Sequence, residues 1–337
     1  MEKVADWQIF HFRDTYSRSQ AHHPLNWTNG ALYVGMIKWA EMADNDKYYN
    51  WLKNIGTENE WQLHKRIYHA DDQTVGQMYI DLYRKYKDEE IIAPTKKQLD
   101  FILMHPSQSV LNWETPYDHD RWSWCDALFM APPVWAKLYN ITGNNKYLHF
   151  LMTEYKASTE FLFDKKEHLY YRDESYMNKL DNGTKIFWSR GNGWVFAGLA
   201  NIMNELKPNT DEYKYFLEIY KKMAKKLLDI QKSEGLWAMS LLSQEEYPTP
   251  ETSGSSFFIY GLAWGINNGI LDKDLYIESV RKGWTAITNH VTDDGMLGYV
   301  QPIGGAPGNA WPDKTEVYGT GALLSAGSEV YKLFGGK

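Results

Sequence analysis

A single cysteine, Cys125, rules out any internal disulfide, so packing alone must hold this chain together. Long apolar runs are missing too: no window approaches the roughly 18 consecutive apolar residues of a membrane span. The opening MEKVADWQIF lacks the extended apolar core of a signal peptide. A soluble protein is expected, of the cytoplasm or, if a leader has been removed, of the periplasm. Basic residues are in deficit, 36 Lys and Arg against 43 Asp and Glu, and the net charge of −7 argues against a nucleic-acid partner. The 10 histidines form neither HExxH nor a Cys/His cluster, so no metal is expected. GxSxG is absent, and the RGNG run lacks the Lys-Ser/Thr of a phosphate loop, so no cofactor is expected either. No proline- or serine-rich linker divides the chain, and residues 1–337 read as one domain.

What the chain has in excess is aromatic surface, with 15 Trp, 24 Tyr and 13 Phe. Much of that is packing, but rings with polar edges also make platforms for sugars. The apolar pattern supplies the architecture. Six times a small or capping residue introduces a helix that is apolar nearly all round: WTNGALYVGMIKWAEMA from Trp27, DDQTVGQMYIDLY from Asp71, CDALFMAPPVWAKLY from Cys125, RGNGWVFAGLANIM from Arg190, TSGSSFFIYGLAWGI from Thr252 and YGTGALLSAGSEVYKLF from Tyr318. Between them lie five amphipathic helices, from Lys47, Thr95, Lys146, Asp211 and Asp274, apolar at i, i+3 and i+4 and wet on the other face. With an N-terminal helix from Val4 to about Tyr16, the pattern predicts twelve helices in two rings, an all-α (α/α)6 barrel. HLYYRD at His168, GLWAMS at Gly235 and GMLGYV at Gly295 predict short extended segments at one mouth, each leading into the next inner helix.

Asp126 heads the third inner helix among Trp122, Trp124, Phe129 and Trp135. A carboxyl in apolar surroundings holds its proton toward neutral pH, which suits a general acid. Asp71 heads the second, so a closed ring brings the two carboxyls to one mouth. Both positions also suit an N-cap, although Asp72 is the better cap for its helix and leaves Asp71 free. Cys125 reads as a packing residue, because neighbours in a helix point about 100° apart. In FWSRGNGWVF, Gly191 and Gly193 permit tight turning while Trp188, Arg190 and Trp194 crowd one helix start. Arg190 offers a planar fork for a carboxylate, or a salt bridge to Asp71 or Asp173. Trp27 and Tyr318 open two further inner helices at the same mouth.

In their order and spacing, WCDALFM (Trp124 to Met130), FWSRGNGW (Phe187 to Trp194) and ETSGSSFFIYGLAWGINNGILD (Glu251 to Asp272) resemble the unsaturated rhamnogalacturonyl hydrolases of glycoside hydrolase family 105, relatives of the unsaturated glucuronyl hydrolases of family 88. The resemblance runs from Trp27 to Leu333 and implies an (α/α)6 barrel acting on unsaturated uronyl oligosaccharides. In that chemistry a proton goes to C4 of a C4=C5 vinyl ether, water adds at C5, and the hemiketal opens to release the remaining saccharide. The resemblance implies that Asp126 is the general acid/base and Asp71 the second active-site aspartate. It implies substrate contacts from Trp188, Arg190 and Trp194, with Met130 beside the acid. Three family histidines are displaced: Arg172 stands for one, His119 is the nearest candidate for another, and Tyr318 replaces the third. Arg172 suits a sulfated or second acidic group, or a salt bridge to Asp173 or Glu174. Two alternatives stay open, a conventional two-carboxylate glycosidase on the same barrel and a non-catalytic saccharide-binding protein.

Overall fold

Burial alternates along the helices as the apolar pattern requires. In the computed structural model, which describes residues 1–14, 16–17, 20–112 and 119–335, the chain runs α1 (Glu2–Phe10), α2 (Trp27–Ala43), α3 (Asp46–Glu58), α4 (Ala70–Gln73), α5 (Gly76–Tyr86), α6 (Ala93–Met104), α7 (Ala127–Met130), α8 (Pro132–Thr142) and α9 (Asn145–Leu162). Two antiparallel hairpins follow, β1 (Phe163–Asp164) with β2 (Leu169–Tyr170) and β3 (Leu180–Asp181) with β4 (Thr184–Lys185). The chain then completes α10 (Ser189–Met203), α11 (Asp211–Asp229), α12 (Thr252–Asn267), α13 (Lys273–Thr288) and α14 (Val317–Phe334).

Every residue of α10 is buried, whereas α11 buries only Phe216, Ile219, Tyr220, Met223, Ala224 and Leu227, a single stripe. Packing goes round in a circle from α2 to α5, α8, α10, α12, α14 and back to α2, which closes the inner ring. Outer helices lie against it, α3 on α2, α9 on α8, α11 on α10, α13 on α12 and α1 on α14. This is the (α/α)6 barrel. Among the described residues no helix is long and apolar enough to cross a membrane.

Two inner helices are broken where the pattern predicts one run. Pro132 and Pro133 lack amide hydrogens and start α8 afresh after α7. The second is interrupted between Gln73 and Gly76. The N-terminal helix also stops at Phe10 rather than near Tyr16. Phe12 must turn inward there, onto Tyr33 and Trp51.

Inner helices α2 and α14 touch backbone to backbone through Gly35 and Gly321. A Cβ on Gly35 would sit 2.0 Å from the Gly321 carbonyl oxygen. Neither neighbour can yield without moving a helix, so Gly35→Ala is expected to cost at least about 3 kcal/mol. Urea denaturation measures that loss.

The three extended segments are present, but each bonds backward. Cys125 N–H, at the start of α7, donates to the Arg172 carbonyl at 2.8 Å. Ser189 N–H, starting α10, donates to Met239 at 2.9 Å, and Thr252 N–H, starting α12, donates to Tyr299 at 3.1 Å. Each segment thus stitches itself to the inner helix already passed. Amide hydrogens at a helix start have no partner within the helix, and an extended carbonyl supplies one.

Candidate active site

Asp126 stands immediately before α7 in helical conformation (φ −59°, ψ −34°), and its side chain makes no capping bond. Its carboxyl is instead turned toward Arg172, whose Nε lies 4.0 Å from Oδ2, and toward Cys125, whose thiol donates to Oδ2 at 3.4 Å. The expected divergence of Cys125 and Asp126 therefore does not hold, because the chain here is only entering the helix. Burial pushes the Asp126 carboxyl above the usual carboxylate range, against the nearby charges of Arg172 and then Arg190.

Asp71 lies in the first turn of α4. The cap is neither aspartate: His69 precedes the helix, and its ring Nδ1 accepts from the Asp71 amide at 3.3 Å. Asp72 is otherwise engaged. It accepts from Arg66 at three points, the backbone amide (2.7 Å), Nε (3.1 Å) and Nη2 (2.6 Å). Burial raises the Asp72 carboxyl, but the Arg66 bonds outweigh it and hold the group below its usual range. Asp71 has no such clamp. Burial raises it to about 7, Arg66 opposing and the charge of Asp126 adding to the rise. Adjacent aspartates are thus driven in opposite directions. Burial also lowers His69 to about 3, leaving a neutral ring tilted against Trp124 at 4.8 Å. His119 packs on the same two rings, 5.8 Å from His69 and 5.5 Å from Trp124.

The RGNG cluster lies deeper than the sequence suggests. Arg190 is wholly buried, with Nη1 donating to the Gln301 carbonyl at 2.7 Å and Nη2 to the Pro302 carbonyl at 3.0 Å. It pairs with neither Asp71 nor Asp173, and its guanidinium lies between the rings of Trp188 (4.5 Å) and Tyr318 (4.8 Å). Trp188 donates from Nε1 to the Gln301 side chain at 2.8 Å, and the Tyr318 hydroxyl donates to the Gln301 carbonyl at 2.6 Å. Trp194 is fully buried against Phe129 and Phe257, and Met130 is buried at the end of α7. Trp188, Arg190, Trp194, Tyr318 and Met130 are thus all buried side chains, closed to solvent. Gly191 and Gly193 do not turn the chain: both lie inside α10, where a Cβ on Gly191 would meet the Cys125 sulfur at 2.9 Å. Their bareness lets α10 close on its neighbours.

Solvent reaches a smaller set. Side-chain exposure is 17% for Asp71, 12% for Asp126, 17% for Arg172 and 10% for His69. Trp27, partly buried, stacks on Tyr318 at 5.4 Å. Arg172 pairs with Asp173, Nη1 to Oδ2 at 2.6 Å. Three contributors escape a reading of the sequence. Gln301 gathers Trp188, Arg190 and Tyr318, and His69 caps α4. Asn192 clamps β2, its Oδ1 accepting from Tyr170 N–H at 2.8 Å and its Nδ2 donating to Tyr170 O at 3.0 Å. Of these only Asn192 carried a signal, as one of the few polar residues in a largely apolar helix. Among the described residues no group of three His, Cys, Asp or Glu is placed to hold a metal ion.

A carboxyl whose folded form prefers its proton stabilises the fold at low pH and loses that contribution as pH rises through its folded pKa. Asp71→Asn is therefore expected to match the parent below pH about 4 and to exceed it increasingly toward pH about 7. The gain then levels off at no more than about 4 kcal/mol. Melting temperature against pH measures this.

The family model described as Glycosyl Hydrolase Family 88 matches residues 1–334. The unsaturated 3S-rhamnoglycuronyl hydrolase of Alteromonas sp. (strain LOR) is 37% identical over 347 residues, which cover 98% of this chain and 84% of that protein. A solved glycosyl hydrolase family 88 protein from Bacteroides vulgatus is 30% identical with a TM-score of 0.87, covering 99% of this chain and 97% of that one. A solved chain named as a polysaccharide lyase is 32% identical with a TM-score of 0.87, covering 98% of this chain and 95% of that one.

Proposed function

Because the chain belongs to glycosyl hydrolase family 88, we propose that it removes a 4,5-unsaturated uronyl residue from the non-reducing end of lyase-generated oligosaccharides, an unsaturated rhamnoglycuronyl being the nearest substrate class. The observation that carries this reading is the pair Asp71 and Asp126, two carboxyls at one mouth that are both driven toward their protonated forms without either acting as a cap. Protonating carbon requires a carboxyl that still carries its proton when it meets the ring, and desolvation keeps it protonated.

In this reading Asp126 gives its proton to C4 of the vinyl ether. The cation that develops at C5, shared with the ring oxygen, takes a water molecule, and the Asp126 carboxylate receives the proton that the water sheds. The resulting C5 hemiketal opens to a ketone. That frees the C1 hydroxyl as a hemiacetal, which collapses to an aldehyde and expels the remaining saccharide. Asp71 orients the water or the ring. Trp27 faces the sugar, while Trp188, Arg190, Trp194 and Tyr318 hold the wall behind it. His119 and Met130 support the Asp126 side of the mouth.

Hydration destroys the conjugated double bond, so the ultraviolet absorbance of an unsaturated oligosaccharide is expected to decay on addition of the protein. A lyase, the second reading that one 32%-identical neighbour favours by its name, creates that double bond and would raise the absorbance of an intact polysaccharide. A conventional glycosidase would act on saturated substrates and leave the absorbance constant. A saccharide-binding protein would bind without turnover.

A further inference from the structure

Two arginines bear on Asp126, and they are held in different ways. Arg190 is buried, with both Nη atoms on loop carbonyls. Arg172 keeps 17% of its side chain exposed and sets Nε 4.0 Å from Asp126 Oδ2. Its position is fixed from two directions. Its carbonyl accepts from Cys125 N–H, the residue next to the acid. Its Nη1 is anchored on Asp173 Oδ2, whose other oxygen accepts from Ser175 N–H at 2.8 Å. Above it the 300–313 loop brings a bare glycine, since a Cβ on Gly305 would lie 3.2 Å from the Arg172 guanidinium carbon. A fixed, planar, partly open cation beside the acid is a receptor for an anion. The unsaturated uronate carries its carboxylate on C5, the atom next to the one that takes the proton.

We propose that Arg172 receives the substrate's uronate carboxylate, and that this pairing offsets the guanidinium charge facing Asp126, so that the acid holds its proton best when substrate is bound. The inference rests on the proposed function. The groups facing Asp126 are Cys125 from its own segment, Asp71 from α4, Arg172 with its partner Asp173 from the segment after β2, and Arg190 from α10. Of the two cations among them, Arg172 is the one within reach of a ligand. Its charge favours the ionised, idle form of Asp126. A bound carboxylate cancels that influence and adds a negative neighbour, and both changes favour the protonated, working form. Charge balances through one proton taken from solvent.

The test compares an unsaturated disaccharide with its methyl ester, on the parent enzyme and on Arg172→Gln and Arg172→Lys. The parent is expected to prefer the acid over the ester by about 100-fold in kcat/KM. In Arg172→Gln the preference should shrink to within about threefold of parity, whatever loss the two substrates share, and Arg172→Lys should fall between. The pH profiles give a second readout. Activity needs protonated Asp126 and falls as pH rises. In the parent the falling limb of kcat, which reports the bound enzyme, should lie above that of kcat/KM, which reports the free enzyme. In Arg172→Gln the kcat/KM limb should move up. An unchanged preference for the acid in Arg172→Gln, or parent limbs that coincide, would overturn the proposal. If the parent consumes neither substrate, the proposed function itself fails, which is a distinct result.

Discussion

Asp126→Asn is expected to lower kcat on an unsaturated oligosaccharide by at least about 1,000-fold, the upper part of what general acid catalysis contributes. The change keeps the shape of the side chain and leaves Cys125 with an acceptor, so the mouth should hold its form. An amide, however, has no proton of the required acidity to give to C4. Substrate affinity, measured by titration calorimetry on the inactive variant, is expected to stay within about tenfold of the parent's KM, since one removed hydrogen bond is worth about 1 kcal/mol. The pairing of lost turnover with kept binding separates a catalytic Asp126 from one that merely shapes the helix start. Retention of a tenth or more of the parent kcat would refute its role as the acid.

Arg190→Met should fail in another way. Methionine fills much of the volume between Trp188 and Tyr318 but donates nothing, so the buried Gln301 carbonyl and the partly buried Pro302 carbonyl lose their charged partner. Hydrogen bonds from a charged donor contribute about 1.5–3 kcal/mol each, and the stacking on two rings is lost with them. A stability loss of about 3–5 kcal/mol is expected from urea denaturation. The root of the 300–313 loop should loosen with it, and because the tip of that loop lies on Arg172, kcat/KM should fall by about 100-fold in the fraction that remains folded. Arg172→Gln offers the contrast, a lowered activity with a smaller stability loss, since glutamine keeps a side-chain N–H to offer Asp173. If Arg190→Met were as stable as the parent and impaired only in KM, then Arg190 would be a direct substrate contact, as the sequence alone suggests.

That contrast shows where a sequence speaks and where it falls silent. The two rings were legible because burial on all sides and burial on one stripe leave different apolar periods, as α10 and α11 illustrate. The burial of Asp126 was legible because apolar and aromatic residues flank it in the chain. The partners of Arg190 were not legible because they are backbone carbonyls, which any residue can supply, more than 100 positions away in a loop without periodicity. The same distance hid Gln301. His69 displaced Asp72 as a cap because Arg66, six residues before Asp72, competes for that carboxylate more strongly than an amide does. Gly191 was read as a turn because a bare residue looks the same whether it frees the backbone or admits a neighbour's sulfur. Of the two loops expected to read the next sugar, the 300–313 loop packs against Arg172 and Arg190. In the 105–120 loop, residues 113–118 lie outside the described residues.

The proposed chemistry turns on a proton delivered to carbon, and turnover in heavy water observes that step directly. Nuclear magnetic resonance of the released uronyl product should show one deuteron at C4, placed on a single face, with C5 become a ketone. A product without deuterium at C4, or one that keeps its C4=C5 double bond after the glycosidic bond is cut, would contradict the assignment of Asp126 and the hydration chemistry built on it.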